Sequence, residues 1–376
     1  MRYKVEQNIL ARALNIVSRS IANRATLPVL SGVLIEAKQQ ELVLAGSNLE
    51  TAIRVVIRAE VEEEGIFLVP AKLLLEYVNS LPKQKIECEC TETRMNIRSG
   101  KQQSYLAGMS YEDYPELGFD GHSTPYRLPI KDLAEAIEHV AYAASPDDAR
   151  AILTGINVSL KKGAFELAAT DGFRLAVEKL VIDVNDEFAV VIPAKVMLEL
   201  ARLVRESSGE YAGNNLDYVM CGKTGEGTQM LFVLPNGVQM LSRLLEGSFP
   251  AYQKIIPTNY ATKVTFETES LLAEVKRAAL FSAQSSNMLY IDVESDGRVI
   301  FGSKNMQVGE YRGELNAVVE GSENKIAFNG RYLIDYLSKV KGKEAILEMN
   351  RGDSPGMWRM IGMDEYIYVV MPMNRE

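Results

Sequence analysis

Apolar positions recur along the chain with two periods, and the switches between them mark the elements. Near the start, Ile9, Leu10, Ala13, Leu14 and Val17 return at helical spacing while Asn8, Arg12, Asn15 and Arg19 fall opposite, which predicts an amphipathic helix. A second helical pattern, Leu73, Leu74, Tyr77, Val78 and Leu81, follows Pro70, a residue suited to a helix start. Glu41-Leu42-Val43-Leu44-Ala45 is a short apolar run, and Lys85-Ile86-Glu87-Cys88-Glu89-Cys90 alternates with period two, so both predict strands. The alternation puts Ile86, Cys88 and Cys90 on one face, which accounts for both cysteines as packing residues. Runs of strands broken by isolated helices predict an α+β fold, with helices laid on one face of antiparallel sheets.

The pattern repeats. Leu30-Ser31-Gly32-Val33 returns as Leu153-Thr154-Gly155-Ile156, and Val69-Pro70-Ala71-Lys72 as Ile192-Pro193-Ala194-Lys195, each 123 residues later. Tyr3 and Tyr126 keep that offset, as do Leu44-Ala45-Gly46-Ser47-Asn48 and Leu167-Ala168-Ala169-Thr170-Asp171. One constant register implies two copies of one domain. A third copy is fainter: Lys263-Val264-Thr265-Phe266 resembles the opening of the second, and Phe328-Asn329-Gly330-Arg331 stands 136 residues after Ile192-Pro193-Ala194-Lys195. The drift implies loop insertions. Turn-rich Gly121-His122-Ser123-Thr124-Pro125 and Pro257-Thr258-Asn259-Tyr260-Ala261 place the boundaries, giving three similar two-helix domains, 1–122, 123–258 and 259–376.

Composition narrows the function classes. With 376 residues, 47% of them hydrophobic, the chain reads as ordinary globular protein. It contains no apolar run long enough for a membrane helix, and residues 1–7 lack the apolar centre of a signal peptide, so a cytoplasmic protein without a membrane partner is expected. Three cysteines and two histidines predict neither a disulfide framework nor a Cys/His zinc site, and no metal or cofactor is expected. Gly222-Lys223-Thr224 lacks the glycine a phosphate loop needs five residues earlier, where Asp217 stands. His139 lies on an apolar helical pattern and His122 in a linker, Arg351-Gly352-Asp353 reads as a turn, and the glycine-rich segment 207–227 as a hairpin loop. An enzyme has no positive support.

The net charge of −9 argues against a protein that grips DNA by charge alone. Local placement differs from the total, however: Arg12 with Arg19, Lys195 with Arg202 and Arg205, and Lys339, Lys341 and Lys343 each cluster on a helix or its end. If the copies present equivalent helices to one common surface, that surface is basic while the rest is acidic.

Three copies of one domain, the segment Ala169-Thr170-Asp171-Gly172-Phe173-Arg174-Leu175-Ala176-Val177 and the ending Tyr368-Val369-Val370-Met371-Pro372-Met373 closely resemble the bacterial DNA sliding clamps, the beta subunits of the DNA polymerase III holoenzyme. Arg24-Ala25-Thr26-Leu27-Pro28-Val29-Leu30 and Gly247-Ser248-Phe249-Pro250-Ala251-Tyr252 extend the resemblance over essentially the whole chain. It implies a head-to-tail homodimer whose six domains surround a hole lined by helices. Such a ring is a processivity factor: it encircles double-stranded DNA without reading its sequence, and tethers the replicative polymerase's alpha-type subunit, the clamp loader and repair proteins. Basic positions implied to face DNA are Arg24, Lys72 and Lys195. The implied partner-peptide pocket comprises Arg150, Leu153, Thr170, Gly172, Phe173, Arg174, Leu175, Pro250, Ile255, Val369, Met371, Pro372 and Met373, in which methionines form an adaptable wall and Arg174 serves polar groups of an incoming peptide. The implied dimer seam sets Leu280 and Phe281 against the first domain's edge near Leu106. Two departures stand out: Phe173 replaces the histidine of many members, and Asn374-Arg375-Glu376 follows Met373 where a basic residue is usual. The competing classes are a scaffold that holds no DNA and an enzyme acting on nucleic acid.

Overall fold

The computed structural model describes residues 1–22, 27–120, 124–161, 163–182, 186–208, 218–283, 286–307 and 309–374. Arg24, His122, Asp217 and the last two residues lie outside these ranges, as does the middle of segment 207–227.

Among the described residues six α-helices fall two to a copy: α1 (Gln7–Val17), α2 (Ala71–Ser80), α3 (Ile130–Ala141), α4 (Ala194–Ser208), α5 (Thr268–Ser282) and α6 (Gly330–Lys339). Each copy runs strand, helix, strands, helix, strands, and among the described residues every strand pair is antiparallel, as the α+β reading expects. Helix α1 buries Gln7, Leu10, Ala11, Ala13, Leu14, Ile16 and Val17 and turns Asn8, Arg12 and Asn15 outward. Two expected core positions are corrected: Ile9 and Leu73 are exposed. The buried stripe of α1 is centred one position round from Ile9, where Gln7 enters the core by donating its Nε2 to the Val78 carbonyl at 2.8 Å. In α2 the buried positions are Ala71, Leu74 and Val78, which leaves Leu73 on the outer side.

Glycine recurs at Gly32 and Gly155 for one steric reason. A Cβ on Gly32 would meet Leu68 Cδ1 at 2.7 Å, and one on Gly155 would meet Val191 Cγ1 at 2.5 Å, where the neighbouring strand crosses.

Contacts divide the chain into two compact units, residues 1–131 with 199–244, and residues 132–198 with 245–376. The first holds a five-stranded sheet, whose edge strands are Glu60–Glu63 and Gln102–Ala107, and an eight-stranded sheet. In the eight-stranded sheet, Gln239–Arg243 of the second copy pairs with Thr51–Arg58 of the first, Met240 opposite Ile53. The second unit repeats the device in a nine-stranded sheet, where Tyr366–Val370 of the third copy pairs with Arg174–Val181 of the second, Val369 opposite Leu175. Each seam is sealed by the segment that links two copies. Leu117 and Phe119 pack on Ala52, Leu231 and Leu241 in the first unit, and Phe249, Tyr252 and Ile256 on Ala168, Leu175 and Val369 in the second. A remaining four-stranded sheet ends in Gly309–Asn316. Among the described residues, Gln102–Ala107 and Gly309–Asn316 each pair on one side only.

Candidate functional site

The turn between the strands Ala164–Thr170 and Arg174–Val181 sits at the seam of the second unit. Its backbone is held by its own side chains. Thr170 Oγ1 accepts the Gly172 N–H at 3.0 Å, and Asp171 Oδ1 accepts the N–H groups of Phe173 and Arg174 at 2.9 and 3.0 Å. Gly172 has φ +94°, a conformation glycine takes without penalty. The Phe173 carbonyl then accepts the Met371 N–H at 2.8 Å, and Met373 donates to the Ala327 carbonyl at 2.8 Å, so the C-terminal segment is fastened beside the turn.

The first unit contains the same turn and serves as an internal control. There Ser47 Oγ accepts the Leu49 N–H at 3.1 Å, Asn48 Oδ1 accepts those of Glu50 and Thr51, and Arg243 donates its N–H to the Glu50 carbonyl at 2.8 Å. The backbone device is common to both seams, whereas the side chains are not. Where the first seam carries Glu50, Thr51 and Arg243, the second carries Phe173, Arg174 and Met371. The turn of the first seam exposes one apolar side chain, Leu49, whereas the second seam exposes Phe173 (58% exposed) with Met371 fastened beside it, and Ile255 is exposed in the same unit.

The expected pocket residues all belong to the second unit. Leu175 and Val369 belong to the buried core cluster at the seam, and Thr170 and Leu153 are also buried. Pro372 and Met373 are half-buried, and Pro250 is exposed just before the short turn Tyr252–Ile255. Arg150 is exposed, and its guanidinium lies 3.4 Å from where a Cβ on Gly172 would stand, which leaves a cation at the rim.

Arg174 is placed differently from the expectation of a group waiting for a peptide. It is buried, its Nε donates to Asp171 Oδ2 at 3.0 Å and its Nη1 to Asp335 Oδ2 of α6 at 2.6 Å. The guanidinium also lies 4.4 Å from the Tyr332 ring centre and 5.6 Å from that of Tyr142. Burial opposes its charge, but Tyr368, Asp335 and Asp171 outweigh burial and hold its pKa above the ordinary value. Behind it, Tyr336 stacks on Tyr368 with ring centres 5.0 Å apart, Tyr142 and Tyr366 share a 2.7 Å hydrogen bond, and His139 Nδ1 meets Glu178 Oε2 at 2.8 Å. His139 is thus a structural tie between α3 and the seam strand. Burial likewise pushes the thiols of Cys88, Cys90 and Cys221 up to about 12, so they remain protonated packing groups at neutral pH.

Of the basic positions, Lys72 and Lys195 are exposed on the first turns of α2 and α4. Arg331 occupies the matching place on α6 and is also exposed, a candidate that the repeat register identifies from sequence. A cation in a helix's first turn works against the helix dipole, so its presence in all three copies points to use outside the helix. Two clusters expected to be basic are corrected: Arg19 is paired with Glu199 at 3.1 Å and Glu206 at 2.6 Å, and Arg202 with Glu199 at 3.2 Å. Leu280 is 73% exposed and Phe281 is half-buried with its ring 5.6 Å from that of Tyr311 in the edge strand. Leu106 is buried within its own sheet opposite Met95, and the outward side chain beside it is Tyr105.

Comparison with known proteins adds the following. Sequence models of the DNA polymerase III beta subunit match its N-terminal domain at residues 1–118, its central domain at 127–251 and its C-terminal domain at 253–374. The beta sliding clamps of Synechocystis sp. and Halalkalibacterium halodurans are each 30% identical, over 100% of this chain and 99% and 100% of theirs. The crystal structure of the DNA polymerase III beta chain from Streptococcus pneumoniae superposes with a TM-score of 0.91 at 28% identity, covering 100% of both chains.

Proposed function

The chain belongs to the family of DNA polymerase III beta subunits, the beta sliding clamps, and we propose that it works as a homodimeric ring that encircles duplex DNA and tethers the replicative polymerase. The observation that carries the reading is the arithmetic of its seams. A strand from each later copy completes the sheet of the copy before it, twice; the strand of the third copy that corresponds to Thr51–Arg58 and Arg174–Val181 is Gly309–Asn316, the strand of the first that corresponds to Gln239–Arg243 and Tyr366–Val370 is Gln102–Ala107, and among the described residues neither has a partner on its seam side. A second copy of the chain supplies the missing match at both ends. Such head-to-tail contacts close when the rotation closes, and they cover edges that would otherwise invite aggregation. In this reading the domains are 1–122, 123–258 and 259–376; the first boundary falls between the first two family matches, and the second lies just inside the third match.

Lys72, Lys195 and Arg331, with Arg24, meet the DNA backbone, whose phosphates carry no sequence information. The ring works in the cytoplasm by retention rather than catalysis, without a metal or cofactor. Partners dock short apolar segments against Phe173, Ile255 and Met371, with Arg150 at the rim. Phe173→Ala and Met371→Ala should each weaken binding of the polymerase's alpha-type subunit about tenfold or more, as loss of a buried anchor does, while leaving the dimer intact. Surface plasmon resonance measures the first quantity and sedimentation the second; full affinity in both variants overturns the pocket assignment.

Leu280 and Phe281 belong to the seam between protomers, beside the unmatched strand Gly309–Asn316. Replacing both with alanine should raise the dimer dissociation constant about a hundredfold, by analogy with the loss of two interface anchors. An unaltered dimer in sedimentation at nanomolar protein would count against this seam.

A further inference from the structure

We infer that Asp335 of α6 is a positioning residue for the peptide site: through Arg174 it sets the turn that presents Phe173 and receives Met371. The inference rests on the peptide-site reading above and names a residue outside the pocket wall that controls it.

The first seam shows that the turn itself needs no arginine. There Asn48 alone caps the two N–H groups that Asp171 caps in the second, and Thr51 stands in the place of Arg174. The second seam nevertheless buries a guanidinium between two carboxylates. A buried ion pair is on balance a weak source of stability, since desolvation offsets most of the attraction. What it provides is direction. Asp171 has both oxygens committed, Oδ1 to the backbone of the turn and Oδ2 to Arg174 Nε. Arg174 in turn commits Nη1 to Asp335 at 2.6 Å and lays its plane over Tyr332, whose carbonyl accepts the Tyr368 hydroxyl at 3.0 Å. An unbroken chain of directed contacts therefore runs from α6 to the backbone N–H of Phe173, and the Phe173 carbonyl holds Met371 at 2.8 Å. Two of the exposed apolar groups are thus referenced to one helix. Removing the charge of Asp335 does not strand the buried Arg174, which keeps Asp171 as an ionic partner at 3.0 Å.

The test is a double-mutant cycle on the full-length protein, with the replicative polymerase's alpha-type subunit as probe. Asp335→Asn should lower affinity about fivefold and Asp335→Glu should restore it to within about twofold; in a Phe173→Ala background, Asp335→Asn should change affinity by less than about 1.5-fold, because coupled residues are non-additive. Unchanged affinity in Asp335→Asn, or a lowered melting temperature with affinity intact, makes Asp335 merely structural and overturns the inference. So does the same loss in both backgrounds. If the unmodified protein does not bind the subunit, the peptide-site reading fails and this inference with it, whereas binding that is lost in Phe173→Ala yet indifferent to Asp335→Asn overturns the inference alone.

Discussion

Protein placed on a nicked circular plasmid by a clamp-loader complex should stay with the DNA through gel filtration at high salt, and should be lost once the plasmid is linearised. The expectation follows from charge. The chain carries −9 overall, and Arg19 and Arg202 are neutralised by Glu199 and Glu206. Lys72, Lys195 and Arg331 remain as exposed cations at helix starts. Taking three phosphate contacts from each protomer, the logarithm of affinity falls by roughly 5 for each tenfold rise in salt, so direct binding is weakened roughly 10⁵-fold over that range. A topological link has no such dependence. Retention on circles alone therefore separates encirclement from adhesion. Equal retention on linear DNA would mean direct binding and would favour an enzyme on nucleic acid. Absence from both, with the loader shown active on another clamp, would favour a scaffold.

Local rules carried the sequence reading far, and their reach marks where it stopped. The repeat register placed Pro70 and Pro193 at equivalent helix starts, and Gly32 and Gly155 where a neighbouring strand leaves no room for a Cβ. Periodicity put Leu10, Leu14 and Val17 in the core correctly but set Ile9 and Leu73 there too, because a 3.6-residue period does not say which edge of a stripe meets a neighbour. Sharing of sheets between copies was illegible. Met240 and Ile53 pair across 187 positions, and no local propensity encodes such a partner. Charge suffered most: Arg12 with Arg19 reads as a cationic face in sequence because Glu199 and Glu206, remote from Arg19 in the chain, are brought in by the fold, whereas the partner of Arg202, Glu199, lies one helical turn away and was within reach of a local rule. The resemblance named the expected pocket residues, but the commitment of Arg174 was illegible, since Asp335 lies 161 positions away.

Arg174→Ala should be among the most destabilising single changes in the second unit, although Arg174 sits at a binding seam. Asp171 is 9% exposed and would keep its charge with no cation beside it, while Asp335 is open enough to be rehydrated. Breaking one partner out of a buried pair costs about 3–5 kcal/mol, and with one of the two carboxylates able to reach water the lower end applies. For a unit of this size about 3 kcal/mol corresponds to a fall in Tm of roughly 6–12 °C, readable by calorimetry. The first seam supplies the control. Asp171→Asn combined with Arg174→Thr transplants the pairing of Asn48 and Thr51, in which an amide caps the same two N–H groups without a charge to satisfy. That double variant should regain about half of the lost stability, since the stranded charge is gone while the volume of the arginine is not replaced. A double variant no more stable than Arg174→Ala would locate the loss in the packing of the guanidinium on Tyr332 and Tyr142 instead. Either variant should bind the polymerase subunit weakly, because stability and the placement of Phe173 are separate consequences of the same arginine, and only the first can be restored from the other seam.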